Sequence, residues 1–393
     1  MRRPTAADAD GIEALTRRAA ATPGLIQLGG GLPSEAQFPR AELAASFLRV
    51  LTKQGAPALQ YGWPEGLESL RRRIAERLVA RGLRGLTAAD VIVTNGAQQA
   101  IALATQVLAR SGQSVAVDAR SYPSALDLFA SRELRRLPLT SPERAHLSYV
   151  MPAVTNPGGE TMTAVARAAL LARRRPVIED DAYGDLLFAG PAPAPLAASD
   201  PKRVFFVGTF SKTLCPGLRV GWLIVPPRWR RRALRLKQAA DLQSNSLAQA
   251  VVDDYLARHD FERRLPVLRR FYRRRAERLA SAVRRAIPSW RFEFPAGGFG
   301  VWVETDAAVD ERRFLETAVE ERVSFDPGTG FEAWPARGAT ALRLCFSLAR
   351  PAEFEEGMRR LARAWKRAAR AAARAGAHRL TATRGPSSKR PRS

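Results

Sequence analysis

Residues 203–225 read RVFFVGTFSKTLCPGLRVGWLIV. The two apolar runs in it, RVFFVG at 203–208 and RVGWLIV at 219–225, have the length and the β-branched and aromatic content of strands buried on both faces. The first run delivers Thr209, Ser211 and Lys212 to a loop, and Arg219 follows seven residues after the lysine. A single lysine after a strand is usually just solvated. In this company it has a second reading. A lysine that forms a Schiff base must approach its aldehyde closely, and neighbouring hydroxyls with a guanidinium hold a dianionic phosphate by charge-assisted hydrogen bonds.

Outward from this segment, further short apolar runs recur: VIVT at 91–94, SVAV at 114–117 and PVIED at 176–180. Helical patterns separate several of them, including LESLRRRIAERLVARG at 67–82, and a long one, LARHDFERRLPVLRRFYRRRAERLASAVRRA, covers 256–286. Such alternation predicts an α/β domain with a largely parallel central sheet flanked by helices. Beyond Pro288 the texture changes to short strands (WRFEF at 290–294, GVWVE at 300–304, LRLCFSL at 342–348) and two helical patterns at 312–323 and 353–368. A smaller α+β domain closing on the first is expected there. The boundaries predicted are an N-terminal segment over 1–40 that joins the small domain, a large domain over 41–287, a small domain over 288–372 and a disordered basic tail over 373–393. No acidic residue follows Glu356, and the last stretch, HRLTATRGPSSKRPRS, is polar and rich in Pro and Ser. No repeat of fixed period is present.

Composition narrows the class. The chain has 393 residues, 46% of them hydrophobic, enough to bury a sizeable core without staples. Cys215 and Cys345 are its two cysteines, and its three histidines (His146, His259, His378) lack metal-ligand spacing, so neither a disulfide framework nor a metal site is expected. The first thirty residues lack the apolar run of a signal peptide, and the most apolar later stretch, Ile101 to Leu108, is interrupted by polar residues. A soluble, cytoplasmic protein with no membrane partner is the expectation. The formal net charge of +25 favours anionic metabolites, phosphates or nonspecific nucleic-acid contact, against the plainer reading of arginine used in place of lysine on solvated helices. No specific nucleic-acid partner is predicted.

Five further segments carry residues suited to the same chemistry. PVIEDDAYGDLLF at 176–188 is an apolar strand whose end presents Asp180 and, three residues on, Tyr183. A carboxylate beside a pyridine nitrogen keeps it protonated, and a phenol can hydrogen-bond a ring hydroxyl. Acids also cluster at strand ends as turn formers. DVIVTNGAQQAIALATQVLA at 90–109 is a strand, a turn and a helix whose first amides, Ala97 and Gln98, would face an anion. Tyr122 in SYPSALDLF can stack on a ring, Asn156 in VTNPGG can donate to its hydroxyl, and Arg343 in LRLCFSLAR can clamp a carboxylate bidentately. Read singly, these three are more often a packing aromatic, a turn former and a surface arginine.

In order and spacing the set resembles the class I/II aminotransferases of pyridoxal-phosphate (PLP) fold type I. The likeness is greatest to the branch with the kynurenine/2-aminoadipate aminotransferases and the aminotransferase-like domains of winged-helix regulators, and it covers roughly residues 25–365. It implies Lys212 as the Schiff-base lysine, Arg219 as a phosphate ligand, Asp180 as partner of the pyridine nitrogen, Tyr183 and Asn156 as partners of O3′, Tyr122 as the stacking aromatic and Arg343 as the α-carboxylate clamp. LGGGLPSEAQFP at 28–39 resembles the family's substrate-covering segment, around Gly31. QYGWPEGLESLRRRIA at 60–75 resembles the segment whose tyrosine, here Tyr61, reaches a neighbouring subunit's phosphate, which implies a homodimer with shared active sites. Three departures stand out: Ala97 where many relatives have Ser, Asn156-Pro157-Gly158-Gly159 for the usual Asn-Pro-Thr-Gly, and Gly300 where relatives place a larger residue. The implied activity is ping-pong transfer of an amino group between an amino acid and a 2-oxo acid. Two alternatives are other PLP chemistry, such as elimination or cyclisation, and a PLP-sensing regulator. About 25 residues precede the matching region, too few for a winged-helix module.

Overall fold

The computed structural model describes residues 22–140, 144–334 and 338–382, with side chains to 374. Its strands, in chain order, are β1 (Ile26–Gln27), β2 (Val91–Thr94), β3 (Ser114–Val117), β4 (Arg135–Pro138), β5 (Leu147–Val150), β6 (Val177–Asp180), β7 (Val204–Thr209), β8 (Gly221–Ile224), β9 (Gly300–Glu304), β10 (Val323–Ser324), β11 (Asp326–Pro327) and β12 (Ala341–Cys345). Seven of them form the central sheet in the order β2-β8-β7-β6-β5-β3-β4. From β4 to β7 all neighbours are parallel, whereas β8 runs antiparallel to both β7 and β2. The reversal has a simple cause. Only residues 210–220 join β7 to β8, and a parallel return needs a crossover of about a dozen residues or more, usually a helix. Helices Ala97–Leu108, Pro123–Ser131 and Ala164–Ala172 provide such crossovers elsewhere.

Every residue of β2, β3, β5, β6, β7 and β8 is buried, which is why most of these strands are dominated by apolar residues and do not alternate. Edge strand β4, Arg-Arg-Leu-Pro, is exposed at both ends; charge and proline are common protection for an edge. One side of helix Ala97–Leu108, with Ala100, Ile101, Ala104 and Val107, is fully or nearly fully buried.

The second lobe holds an antiparallel sheet, β11-β12-β9, and a parallel pair, β1 with β10. Ile26 and Gln27 pair with Val323 and Ser324, and Cys345 N–H donates to Leu28 O at 2.7 Å, so the chain enters the second lobe first and is then directed into the cleft at Gly29–Gly31. Three expectations need correction. WRFEF forms no strand; Arg291 makes one bridge to Glu304, and Trp290 packs edge-on against Trp365 at 5.5 Å. The helical pattern at 256–286 divides into Ser246–Arg258 and Phe261–Ala286, because the Asp260 carboxylate accepts from Arg263 N–H and starts a new helix. Helix Phe354–Ala382 runs past 373, where disorder was expected to begin, since the intervening residues are largely Ala and Arg, strong helix formers. The rest of that tail lies outside the described residues. Among the described residues no helix is long and apolar enough to cross a membrane.

Gly221, at the start of β8, lies where a Cβ would sit 2.7 Å from the Gly96 carbonyl carbon and 2.9 Å from Ala97 N. Gly221→Ala should therefore destabilise the protein by about 1–3 kcal/mol through overpacking. Gly217→Ala, whose Cβ meets nothing within 4 Å, should not. Calorimetric melting of the two variants checks this; equal midpoints would show that the strand and the helix start separate without strain.

Candidate active site

In an open α/β sheet, ligands bind beyond the carboxyl ends of the parallel strands. Here β3, β5, β6 and β7 end at one edge and lead toward Tyr122, Asn156, Asp180 with Tyr183, and Lys212 respectively, while β12 supplies Arg343 from the second lobe. The half-buried Lys212 donates from Nζ to Gly31 O at 3.2 Å, and Nζ lies 5.4 Å from the Tyr183 ring centre and 5.7 Å from that of Phe299. Burial pushes its pKa below the usual lysine value, which favours the neutral, nucleophilic amine. Tyr122 is half-buried at the start of helix Pro123–Ser131.

Asp180 is the buried acid of the cleft. Oδ2 accepts from the Tyr149 hydroxyl at 2.7 Å and Oδ1 from Ala182 N–H at 3.1 Å. Burial raises its pKa to about 6, against the lowering pull of these two donors. Among the described residues no basic side chain is hydrogen-bonded to it. Tyr183 is buried edge-on against Phe299, 5.3 Å between ring centres, and burial holds its phenol protonated.

A third corner is built for an anion. Helix Ala97–Leu108 begins without a side-chain cap, and first-turn amides have no partner within their own helix. Arg219 lies over this start, donating from Nη2 to Asn95 O at 3.0 Å, with its backbone in the left-handed region at φ 53°. That conformation is strained for a residue with a side chain, and such strain is concentrated at functional sites. Thr209 Oγ1 is 2.9 Å from Ser211 Oγ, with both residues buried. The Gln98 side chain points elsewhere, donating to Ser124 O at 3.0 Å, and its buried Oε1 has no partner among the described residues. Tyr61 does not join the others: it is 77% exposed.

Arg343 faces Asn156, whose Oδ1 accepts from Nη1 at 2.7 Å. Two residues that sequence reasoning missed complete the cleft. Tyr149, in strand β5, belongs to a segment that the sequence reading did not single out; a fully buried tyrosine needs a partner for its hydroxyl. Asp326 accepts from Arg343 Nε at 2.9 Å and Nη2 at 2.8 Å, a pairing between strands that local sequence does not reveal.

Comparison with known proteins decides the family. Residues 23–361 match the family of class I and II aminotransferases. The chain belongs to that family. It is 34% identical over 369 residues to a 2-aminoadipate transaminase of Thermus thermophilus, covering 88% of this chain and 91% of the relative. The crystal structure of LysN, the α-aminoadipate aminotransferase of T. thermophilus, in complex with N-(5′-phosphopyridoxyl)-L-leucine, superposes with a TM-score of 0.82 at 32% identity, over 91% of this chain and 96% of that one. An HTH-type transcriptional regulator of Bacillus subtilis, YisV, is 29% identical, with 87% of this chain matching 74% of the regulator. This aminotransferase thus uses pyridoxal phosphate to move an amino group between an amino acid and a 2-oxo acid. Its residues fit that cofactor: a buried amine, a buried acid without a paired base, and an uncapped helix start beside a guanidinium and two hydroxyls.

The acid gives a pH test on the cofactor-free protein. The folded-state pKa of Asp180, about 6, lies above its ordinary 3.8, so its contribution to stability is full below about pH 4 and is lost as pH rises through about 6. The stability of the wild type minus that of Asp180→Asn should therefore fall by on the order of 3 kcal/mol from about pH 4 to pH 7 in denaturant unfolding. A difference that stays flat with pH would show that the carboxyl is solvated.

Proposed function

We propose that the cleft residues divide the work of transamination as follows, and that two copies of the chain share each active site. The reading rests above all on Asp180, a buried carboxylate with no basic side chain paired to it among the described residues, carried by a strand that adjoins the one leading to Lys212. When bound, pyridoxal phosphate supplies an aldehyde that links to the lysine and a ring that accepts electrons once its nitrogen is protonated. Asp180 holds that proton in place, because a close anion favours the charged form of its neighbour. Tyr183 and Asn156 hydrogen-bond the ring hydroxyl, and Tyr122 stacks on the ring. Thr209, Ser211, Arg219 and the amides of Ala97 and Gln98 hold the phosphate, the last two through the backbone alone. Lys212 Nζ would serve as the base that takes the proton from the substrate's Cα and as the acid that returns it on the cofactor side of the shared nitrogen. Arg343 receives the substrate's α-carboxylate, and the Gly31 segment covers it.

The donor is an α-amino acid and the acceptor a 2-oxo acid, which places the enzyme in amino-acid metabolism. The free cysteines, Cys215 and Cys345, suit a cytoplasmic location. Assembly as a homodimer is supported by the apolar groups left exposed in one part of the sequence: Leu48 at 66%, Leu59 at 66%, Tyr61 at 77% and Trp63 at 78%. Tyr61 in this reading serves the partner's phosphate.

Two experiments test these assignments. Lys212→Ala should lose the visible absorbance of the linked cofactor together with turnover, while keeping the wild-type melting midpoint in the cofactor-free state; an unchanged spectrum rules out this lysine. For the shared site, Lys212→Ala and Tyr61→Ala, each nearly inactive alone, are mixed under conditions that exchange subunits. One site of each mixed dimer then combines an intact lysine with an intact partner tyrosine, so activity should return toward about a quarter of the wild-type level, as half the dimers are mixed and each has one whole site. If Tyr61 serves its own chain, every site keeps a lesion and nothing returns.

A further inference from the structure

The clamp arginine arrives with an anion already attached. Asp326 and Arg343 are direct partners in the β11–β12 ladder, and Asp326 Oδ2 takes both the Nε and Nη2 protons of the guanidinium. Its other oxygen, Oδ1, accepts from Gly30 N–H at 2.8 Å. One carboxylate therefore joins Arg343 to the glycine segment whose next residue, Gly31, accepts from Lys212. Packing leaves the arginine little freedom: a Cβ on Gly31 would sit 2.9 Å from Nη2, and one on Gly300 2.9 Å from Cγ.

Stability alone does not account for this pair. Its side chains are 11% and 12% exposed, and a buried ion pair is often no more stabilising than apolar residues of the same volume. Positioning does account for it. Of the five N–H donors of a guanidinium, Asp326 takes two and Asn156 one, which leaves two for an incoming carboxylate. We propose that Asp326 is a positioning residue for substrate recognition, fixing the Arg343 guanidinium for the α-carboxylate and tying it to the Gly29–Gly31 segment. This rests on the reading of Arg343 as the carboxylate clamp. The acid is needed as an acid, because it accepts on both sides. An asparagine amide would turn its NH2 toward either Arg343 or Gly30 N–H, and in both orientations two donors would face each other.

The test compares substrates with and without a carboxylate. Asp326→Asn should raise KM for the best amino-acid donor about tenfold or more, the size expected for losing a hydrogen bond to a charged group. Its reactivity toward benzylamine should change less than about threefold, on the same principle that only carboxylate recognition is touched. Calorimetric binding of the deaminated analogue of that donor, a plain carboxylic acid, should weaken by a similar factor. Once Arg343→Ala is present, Asp326→Asn should add nothing to the lost discrimination between amino acid and amine. Equal losses for amine and amino acid, an unchanged KM, or additive effects in the double variant would each overturn the proposal. If Arg343→Ala alone leaves that discrimination intact, the clamp reading fails and takes this one with it. If Arg343→Ala abolishes the discrimination while Asp326→Asn preserves it, only the role of Asp326 falls.

Discussion

The parallel pairing of β6 with β7 is the constraint on which the rest of the cleft depends. The ladder sets Asp180 against Val207, two residues short of Thr209, so the acid and the Thr209–Lys212 loop emerge from neighbouring strands at one edge. Neither position can slip. A shift of one residue would exchange the faces of two strands buried throughout, and would move Asp180 off the Tyr149 hydroxyl that donates to it. The antiparallel strand β8 then fixes the other end of the loop, because Gly221 lies directly on the turn at Gly96 and Ala97.

Behind this edge, electrostatics are arranged to keep Asp180 distinct from its neighbours. Asp181 and Asp185 are matched by Arg81 and Arg77, each pair at 2.6 Å, whereas Asp180 has only neutral donors. Glu179, on the same strand, accepts from the amides of Leu196 and Ala197 and carries its burial there, with its pKa raised to about 7. Three consecutive acids thus have three different environments: backbone amides for Glu179, a phenol and one amide for Asp180 at the cleft, and a guanidinium for Asp181. The many arginine pairs along exposed helices, such as Arg273 with Glu277 and Arg312 with Glu316, contribute little by comparison.

Much of this was legible in the chain because the buried strands advertise themselves. VIVT, SVAV, VIED and VFFVGT coincide with strands whose every residue is buried; Asp180 ends one of them, Lys212 follows another by three residues, and Arg219 lies in the loop just before β8. What could not be read depends on partners distant in sequence. Tyr149 gains its meaning from Asp180, 31 residues on, and Asp326 from Arg343, 17 residues on. The break at Asp260 and the missing strand at 290–294 failed for a different reason: periodicity alone carries a helix through a capping residue, and an apolar alternation needs a neighbour to pair with before it is a strand. Tyr61 lies on the surface of the chain, where its local sequence does not reveal what it faces.

Gly31 and Gly300 have a consequence for how this enzyme could change its taste in substrates. Both lie so close to Arg343 that even a methyl group at either position would press on its side chain, and Gly31 also takes a left-handed backbone conformation at φ 58°. A larger residue at either site has to displace the Arg343 side chain, so drift there is coupled to the position of that guanidinium. New specificities come more directly from walls that do not touch it. Diversity is better spent elsewhere around the cleft, with the glycines and the arginine held constant as one unit.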